Sequence, residues 1–374
     1  MSVSINELAL PGVQKLRPYE PGKPVEELER ELGITGIIKL ASNENPLGPS
    51  PRVIEALQAQ MPELARYPDG NAFQLKQALA AIHGVDLNQV TIGNGSNDIL
   101  ELIARAFVGT DNEVVFSEHA FAVYPIVTQA VGATAVVVPA KAWGHDLDAM
   151  AEAVTERTRV IFVANPNNPT GTCVGGDALK AFIRSIPVTA LVVIDEAYFE
   201  YAQDLFAGYV SASEWLDEFP NLLVTRTFSK AYGLAGLRVG YGISSAEISD
   251  FLNRVRQPFN VNSMALAGAL AALADKTHLA EGLRINREGL AQYEVAFETM
   301  GLDWIPTAGN FISVDLQCDG REVFNRLLHE GVITRAVDNY GMPSFLRITV
   351  GTADENTRCI EALKKVLAGV KKND

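Results

Sequence analysis

The stretch Asn221-Leu222-Leu223-Val224-Thr225-Arg226-Thr227-Phe228-Ser229-Lys230-Ala231-Tyr232-Gly233-Leu234-Ala235-Gly236-Leu237-Arg238-Val239-Gly240 runs from an apolar, strand-like segment into a loop of hydroxyls and glycines. One lysine, Lys230, sits just past that segment, and one arginine, Arg238, follows eight positions later. The usual reading of a single lysine is a solvated surface charge. These neighbours favour another. A lysine at a buried strand's end can act as a carbonyl-condensing amine that forms a Schiff base. The hydroxyls and the arginine can hold an anion beside it.

Working outward, short β-branched runs recur at Val90-Ile92, Val114-Phe116, Ala135-Val138, Val160-Val163, Leu191-Ile194, Leu222-Thr225 and Val239-Ile243. Helical periodicity fills several of the gaps, as at Ile99, Leu100, Leu102, Ile103, Ala106 and Phe107. Strands alternating with helices predict an α/β unit whose mainly parallel seven-stranded sheet is sandwiched by helices. Towards the N-terminus, Leu16 to Pro24 is broken by three prolines, and Val25 to Leu32 reads as a short helix. After about residue 265 an alanine- and leucine-rich helical region runs from Met264 to Met300. Short strands follow near Phe311-Val314, Val332-Thr334 and Leu346-Val350. The expected division is an arm and short helix over 1–35, a large unit over 36–265 and a smaller α+β unit over 266–374.

Three further clusters stand at predicted strand ends, where open α/β sheets bind ligands. Gly93-Asn94-Gly95-Ser96-Asn97-Asp98 joins a strand to a helix, so its free N–H groups, Ser96 and Asn97 make an anion site. Its plainer reading is a glycine turn with a Ser/Asn helix cap. Asn165-Pro166-Asn167-Asn168-Pro169-Thr170-Gly171 is a forced turn in which Asn168 can offer its amide to a ligand oxygen. Asp195 closes the run Leu191-Val192-Val193-Ile194, and a carboxylate there needs a partner. It is either a helix cap or the counter-ion of a protonated ring nitrogen, with Tyr198 three residues on. Together the clusters offer an anion cup, a ring-nitrogen partner, an oxygen-donor pair and an amine. That donor set points to pyridoxal 5'-phosphate.

Composition narrows the classes. The 374 residues are 48% hydrophobic and 20% charged, with a formal net charge of -14. So acidic a chain is a poor partner for nucleic acid or an anionic membrane surface. No apolar run approaches membrane-spanning length, and Met1 to Pro11 lacks the pattern of a signal peptide. Cys173, Cys318 and Cys359 are odd in number and far apart, which fits a reduced, cytoplasmic compartment. The five histidines show no ligand spacing, so no metal is expected.

Asn168-Pro169-Thr170-Gly171, Asp195-x-x-Tyr198 and Ser229-Lys230-x7-Arg238 resemble the signature of the class I/II aminotransferases, the fold-type I group of pyridoxal phosphate enzymes. The match runs in order over almost the whole chain. Arg17-Pro18-Tyr19, Asn43-Glu44-Asn45-Pro46, Arg66-Tyr67-Pro68-Asp69 and Leu346-Arg347-Ile348 resemble, more finely, the histidinol-phosphate branch of that family.

The resemblance implies that Lys230 holds the cofactor and moves the proton, and that Asp195 pairs with the ring nitrogen. Asn168 and Tyr198 would bind the phenolic oxygen. Ser96, Asn97, Thr227, Ser229 and Arg238 would bind the cofactor phosphate. Phe121 or Tyr124 would stack on the ring. Arg347 would grip a substrate carboxylate, while Tyr19, Tyr67 and Arg335 would serve the phosphate end of L-histidinol phosphate. Asn43 is a further substrate-binding candidate.

The implied reaction is a ping-pong transamination through pyridoxamine phosphate, with 2-oxoglutarate and glutamate as the second pair. The implied assembly is a homodimer with shared sites, in which Tyr67 enters the neighbour's. One departure is the Asn97-Asp98 pair, where family members often carry two acids. A neutral Asn97 beside a phosphate avoids repulsion. An aromatic or broad-range aminotransferase shares every cofactor residue and is the nearest rival. A decarboxylase on the same scaffold, and a regulatory sensor, are more distant ones.

Overall fold

The computed structural model describes residues 4–18 and 22–370. Its strands, in chain order, begin with β1 (Ile38–Lys39), β2 (Val90–Gly93), β3 (Glu113–Ser117), β4 (Thr134–Val138) and β5 (Thr158–Ala164). They continue with β6 (Leu191–Asp195), β7 (Leu222–Thr227), β8 (Gly240–Ser244), β9 (Trp304–Ile305) and β10 (Phe311–Asp315). The last three are β11 (Val332–Ile333), β12 (Arg335–Ala336) and β13 (Phe345–Thr349).

Seven strands form one sheet in the order β2-β8-β7-β6-β5-β3-β4. Only β8 runs against the rest, pairing antiparallel with both β7 and β2. The strands are apolar on both sides because helices cover both faces. Ile161, Val163, Val192, Ile194 and Val224 pack into one core cluster. Val160, Phe162, Val193 and Leu223 point into another. The parallel strands β5, β6 and β7 thus end side by side, and the loops leaving them carry Asn168, Asp195 and Lys230.

A second, antiparallel sheet has the order β12-β13-β10-β9 and a core of its own, with Ile312, Val314, Leu346 and Ile348 against Leu363 and Phe297. Strand β1 pairs in parallel with β11 and so lies with this sheet's surroundings, although it precedes the seven-stranded sheet in the chain. The expected helical stretch from Met264 to Met300 is two helices, Ser263–Ala274 and Lys276–Met300. The break is Asp275, whose backbone leaves the helical region and whose carboxylate accepts a hydrogen bond from the His278 N–H at 3.1 Å. The first helix sends Ala265, Ala269 and Ala272 into the core of the seven-stranded sheet, and the second sends Leu290, Tyr293 and Phe297 into the other core. Among the described residues, no helix is long and apolar enough to cross a membrane.

Candidate active site

A cavity of about 620 Å³ opens where β5, β6 and β7 end, and its far wall comes from the second sheet. Lys230 lines it, and its Nζ donates to the Ser42 carbonyl at 2.7 Å. Burial, then the charges of Arg347 and Arg238, pull its amine down to about 7, against the opposing pull of Glu44.

Asp195 and Thr225 are register partners on β6 and β7, so their side chains share a face. The Thr225 hydroxyl donates to Asp195 Oδ1 at 3.1 Å, and the Tyr124 hydroxyl donates to Oδ2 at 2.9 Å. Burial pushes the Asp195 carboxyl up, and these two donors with the Ala197 N–H pull it back. Tyr198 lies over Lys230, its ring centroid 5.9 Å from the amine. The Asn43 amide donates to the Tyr198 hydroxyl at 2.8 Å, which leaves that hydroxyl's own proton for another acceptor.

The anion cup is built from backbone. Helix Ser96–Phe107 starts at the cavity after Gly95, whose φ is +85°. A Cβ on Gly95 would lie 2.5 Å from the Arg238 guanidinium, and one on Gly240 would lie 2.4 Å from the Ser96 nitrogen, so only glycine fits either place. Arg238 itself is left-handed at φ 58°, and its guanidinium donates to the Ser229 hydroxyl at 3.3 Å. Strained backbone of this kind gathers at functional sites. Thr227 and Asn97 complete the lining.

On the opposite wall, Arg347 is buried, with one nitrogen donating to Asn168 Oδ1 at 2.5 Å and another to the Ala41 carbonyl at 2.6 Å. Arg335 faces it directly, as its register partner on the adjacent strand β12. Both line the cavity.

The sequence-based candidates therefore divide. Lys230, Asp195, Tyr198, Asn168, Ser96, Asn97, Thr227, Ser229, Arg238, Asn43, Arg335, Arg347 and Phe121 all line one cavity. Tyr124 lies behind it, bonded to Asp195, with its ring stacked on Phe162 at 4.6 Å. The choice between Phe121 and Tyr124 for a ring-stacking aromatic thus leaves Phe121 as the one that faces the cavity. Tyr67 lies elsewhere, 82% exposed and stacked on Phe259. Tyr19 lies outside the described residues. The sequence reading missed Thr225, although a hydroxyl directly after the apolar run Leu222-Leu223-Val224 is a visible signal. It also missed Ser42 and Asn310, which come from distant loops and carry no local signal. The Asn310 amide fixes the Asn43 carbonyl at 3.0 Å.

The family model for class I and II aminotransferases matches residues 35–363. The chain belongs to that family. This aminotransferase is 61% identical to histidinol-phosphate aminotransferase 2 of Pseudomonas fluorescens over 98% of the chain and 100% of that protein. It is 60% identical to histidinol-phosphate aminotransferase 2 of Pseudomonas aeruginosa over 96% and 98%. Among solved structures, it resembles histidinol-phosphate aminotransferase from Sinorhizobium meliloti in complex with pyridoxal-5'-phosphate. That likeness has a TM-score of 0.88 and 29% identity, covering 96% of this chain and 98% of the other.

Proposed function

We propose that this aminotransferase moves the amino group of L-histidinol phosphate to 2-oxoglutarate, with pyridoxal 5'-phosphate as cofactor, in histidine biosynthesis in the cytoplasm. The products are imidazole acetol phosphate and L-glutamate. The observation that carries the reading is the pair Arg335 and Arg347, opposite each other in register at the cavity. Two guanidinium groups so placed concentrate positive charge on one wall of the cavity, where an anionic substrate group can pair with them. One substrate brings a phosphate and the other carboxylates, and a guanidinium fork pairs with either.

The donor set fits the cofactor. The glycine-tight cup of Gly95, Ser96, Ser229 and Arg238 suits its phosphate, and Asp195 its ring nitrogen. Asn168 and Tyr198 suit its phenolic oxygen, and Phe121 its ring face. When bound, pyridoxal phosphate withdraws the electron pair left as the substrate's α C–H bond breaks. Lys230 is the base: its depressed pKa leaves much of the amine neutral near pH 7, ready to take that proton and return it. Asp195, held by the Thr225 and Tyr124 hydroxyls, would accept a hydrogen bond from the ring nitrogen and so favour a proton there. Tyr198, fixed by Asn43, donates into the cavity. Arg347, held by Asn168 and Ala41, orients the substrate so that its α-proton faces Lys230.

The second reading, an aromatic aminotransferase, rests on the apolar wall of Phe121, Val123, Ile126 and Val127. A glutamate-formation assay separates them. With 2-oxoglutarate as acceptor, L-histidinol phosphate should exceed phenylalanine and tyrosine in kcat/KM. The reverse order moves the function to aromatic donors.

We also infer a homodimer whose sites are shared. Met61, Leu64, Tyr67 and Phe73 are exposed apolar residues on one stretch of chain, away from the cavity of their own subunit.

A further inference from the structure

Tyr124 has a place that neither the reaction nor its substrates account for. It belongs to helix Val123–Ala130, just after Phe121. This one turn of chain presents Phe121 to the cavity and turns Tyr124 inward. The Tyr124 ring is fully buried, parallel to Phe162 at 4.6 Å and edge-on to Phe121 at 5.9 Å. Its hydroxyl cannot swing to solvent. Its one proton goes to Asp195 Oδ2, as the proton of Thr225 goes to Oδ1.

A buried carboxylate is unstable as an anion unless hydrogen bonds replace the water it has lost. Two neutral donors, one on each oxygen, do this without adding a charge that would compete with a protonated ring. We propose that Tyr124 is a positioning residue, which acts with Thr225 to keep Asp195 ionised and aimed at the cofactor's ring nitrogen. This rests on the pyridoxal phosphate reading above.

The other titratable groups that bear on Asp195 are Tyr198 and Glu196. Glu196 is paired with Arg226 at 2.8 Å, and Tyr198 is bonded to Asn43, so neither supplies the missing donor. His145 bonds the Ala164 carbonyl on the neighbouring strand rather than the carboxylate. Tyr124 keeps its proton across the working range, because burial and Asp195 hold its phenol well above its ordinary value.

The test measures the dissociation constant of pyridoxal phosphate from the apo-protein by tryptophan fluorescence between pH 5.5 and 8.5. Tyr124→Phe keeps the ring and the stack and removes only the donor. It should weaken binding at pH 7 by about tenfold or more, the size of one hydrogen bond to a charged group. It should also move the acid-side midpoint of binding upward. Installing 3-fluorotyrosine at position 124, a stronger donor of nearly the same volume, should move that midpoint downward, and this arm decides if Tyr124→Phe does not fold. Affinities within twofold of wild type and unmoved midpoints in the folded variants overturn the proposal. A wild-type protein that binds the cofactor but forms no glutamate counts against the proposed reaction, whereas the ratio of affinities counts only for or against Tyr124.

Discussion

Lys230 shows how a residue's surroundings set its chemistry. A solvated lysine amine, near 10.5, is almost wholly protonated at neutral pH, while this one is pulled to about 7. Only the neutral amine can attack the aldehyde of pyridoxal phosphate, so cofactor capture by the apo-protein should speed up from pH 6 to pH 8 with a midpoint near 7. A midpoint above 9, read by stopped-flow absorbance, would contradict the shift. The same shift bears on stability. The unfolded chain binds the extra proton between about 7 and 10.5, so this group's penalty is full below 7 and relieved as pH rises. Apo-protein stability should therefore gain a positive pH slope in that window, which Lys230→Met removes. Lys230→Ala should abolish glutamate formation, and a variant that kept substantial turnover would remove Lys230 from the mechanism. At this scale much was legible. Lys230, Asp195 and Asn168 each end a strand or follow one closely, and Arg238 stands just before another, all with telling neighbours. The role of Tyr124 was not legible, because sequence spacing cannot say which of two aromatics at a helix start faces a cavity and which faces a carboxylate.

Strands β6 and β7 carry a division of labour by alternation. Asp195 and Thr225 point to the cavity side, and the next residues, Glu196 and Arg226, meet on the other face. Glu196 accepts two bonds from Arg226, at 3.0 and 2.8 Å, along with bonds from Ser211 and the Ala212 N–H, and all but a few per cent of the pair is buried. The Arg226 guanidinium also lies 3.3 Å over the Phe199 ring. Removing one partner leaves an uncompensated buried charge. Arg226→Met should therefore cost about 3–5 kcal/mol, while Glu196→Leu with Arg226→Met should recover much of that loss. Denaturant unfolding of the three proteins decides this, and equal losses in the single and double variants would show that the pair contributes as packing rather than as charge. The strands themselves were readable because each is a short β-branched run between turn formers. Strand β11 was readable too, within Val332-Thr334, but its pairing with β1 was not. Their pairing joins residues about 294 positions apart, as Ile38↔Val332 shows, and no local pattern encodes such a partner. The helix break at Asp275 has a single cap residue as its signal, and helical periodicity resumes at Leu279 after three intervening residues.

At the scale of the molecule, the cavity is closed by contacts between the two sheets' surroundings. The Ser313 hydroxyl on β10 donates to the Pro169 carbonyl at 2.6 Å, and Arg347 on β13 reaches Asn168. What one chain leaves open is the role of Tyr67. It points away from its own cavity, on a stretch whose apolar side chains need a cover. If that cover is a second copy, and Tyr67 completes the copy's site, the two halves of a site come from different subunits. Complementation tests this directly. A Lys230→Ala subunit retains Tyr67, and a Tyr67→Ala subunit retains Lys230. In a mixed dimer one site then has both residues intact and the other has neither. Random reassortment makes about half of the dimers mixed by simple statistics of two-fold assembly. The mixture should regain about a quarter of the wild-type activity, from two parents that are each strongly impaired. If Tyr67 serves the site of its own chain, every site in the mixed dimer lacks one of the two residues. The mixture then shows no more than the mean of its parents, and the shared site is lost as an explanation for the exposed face.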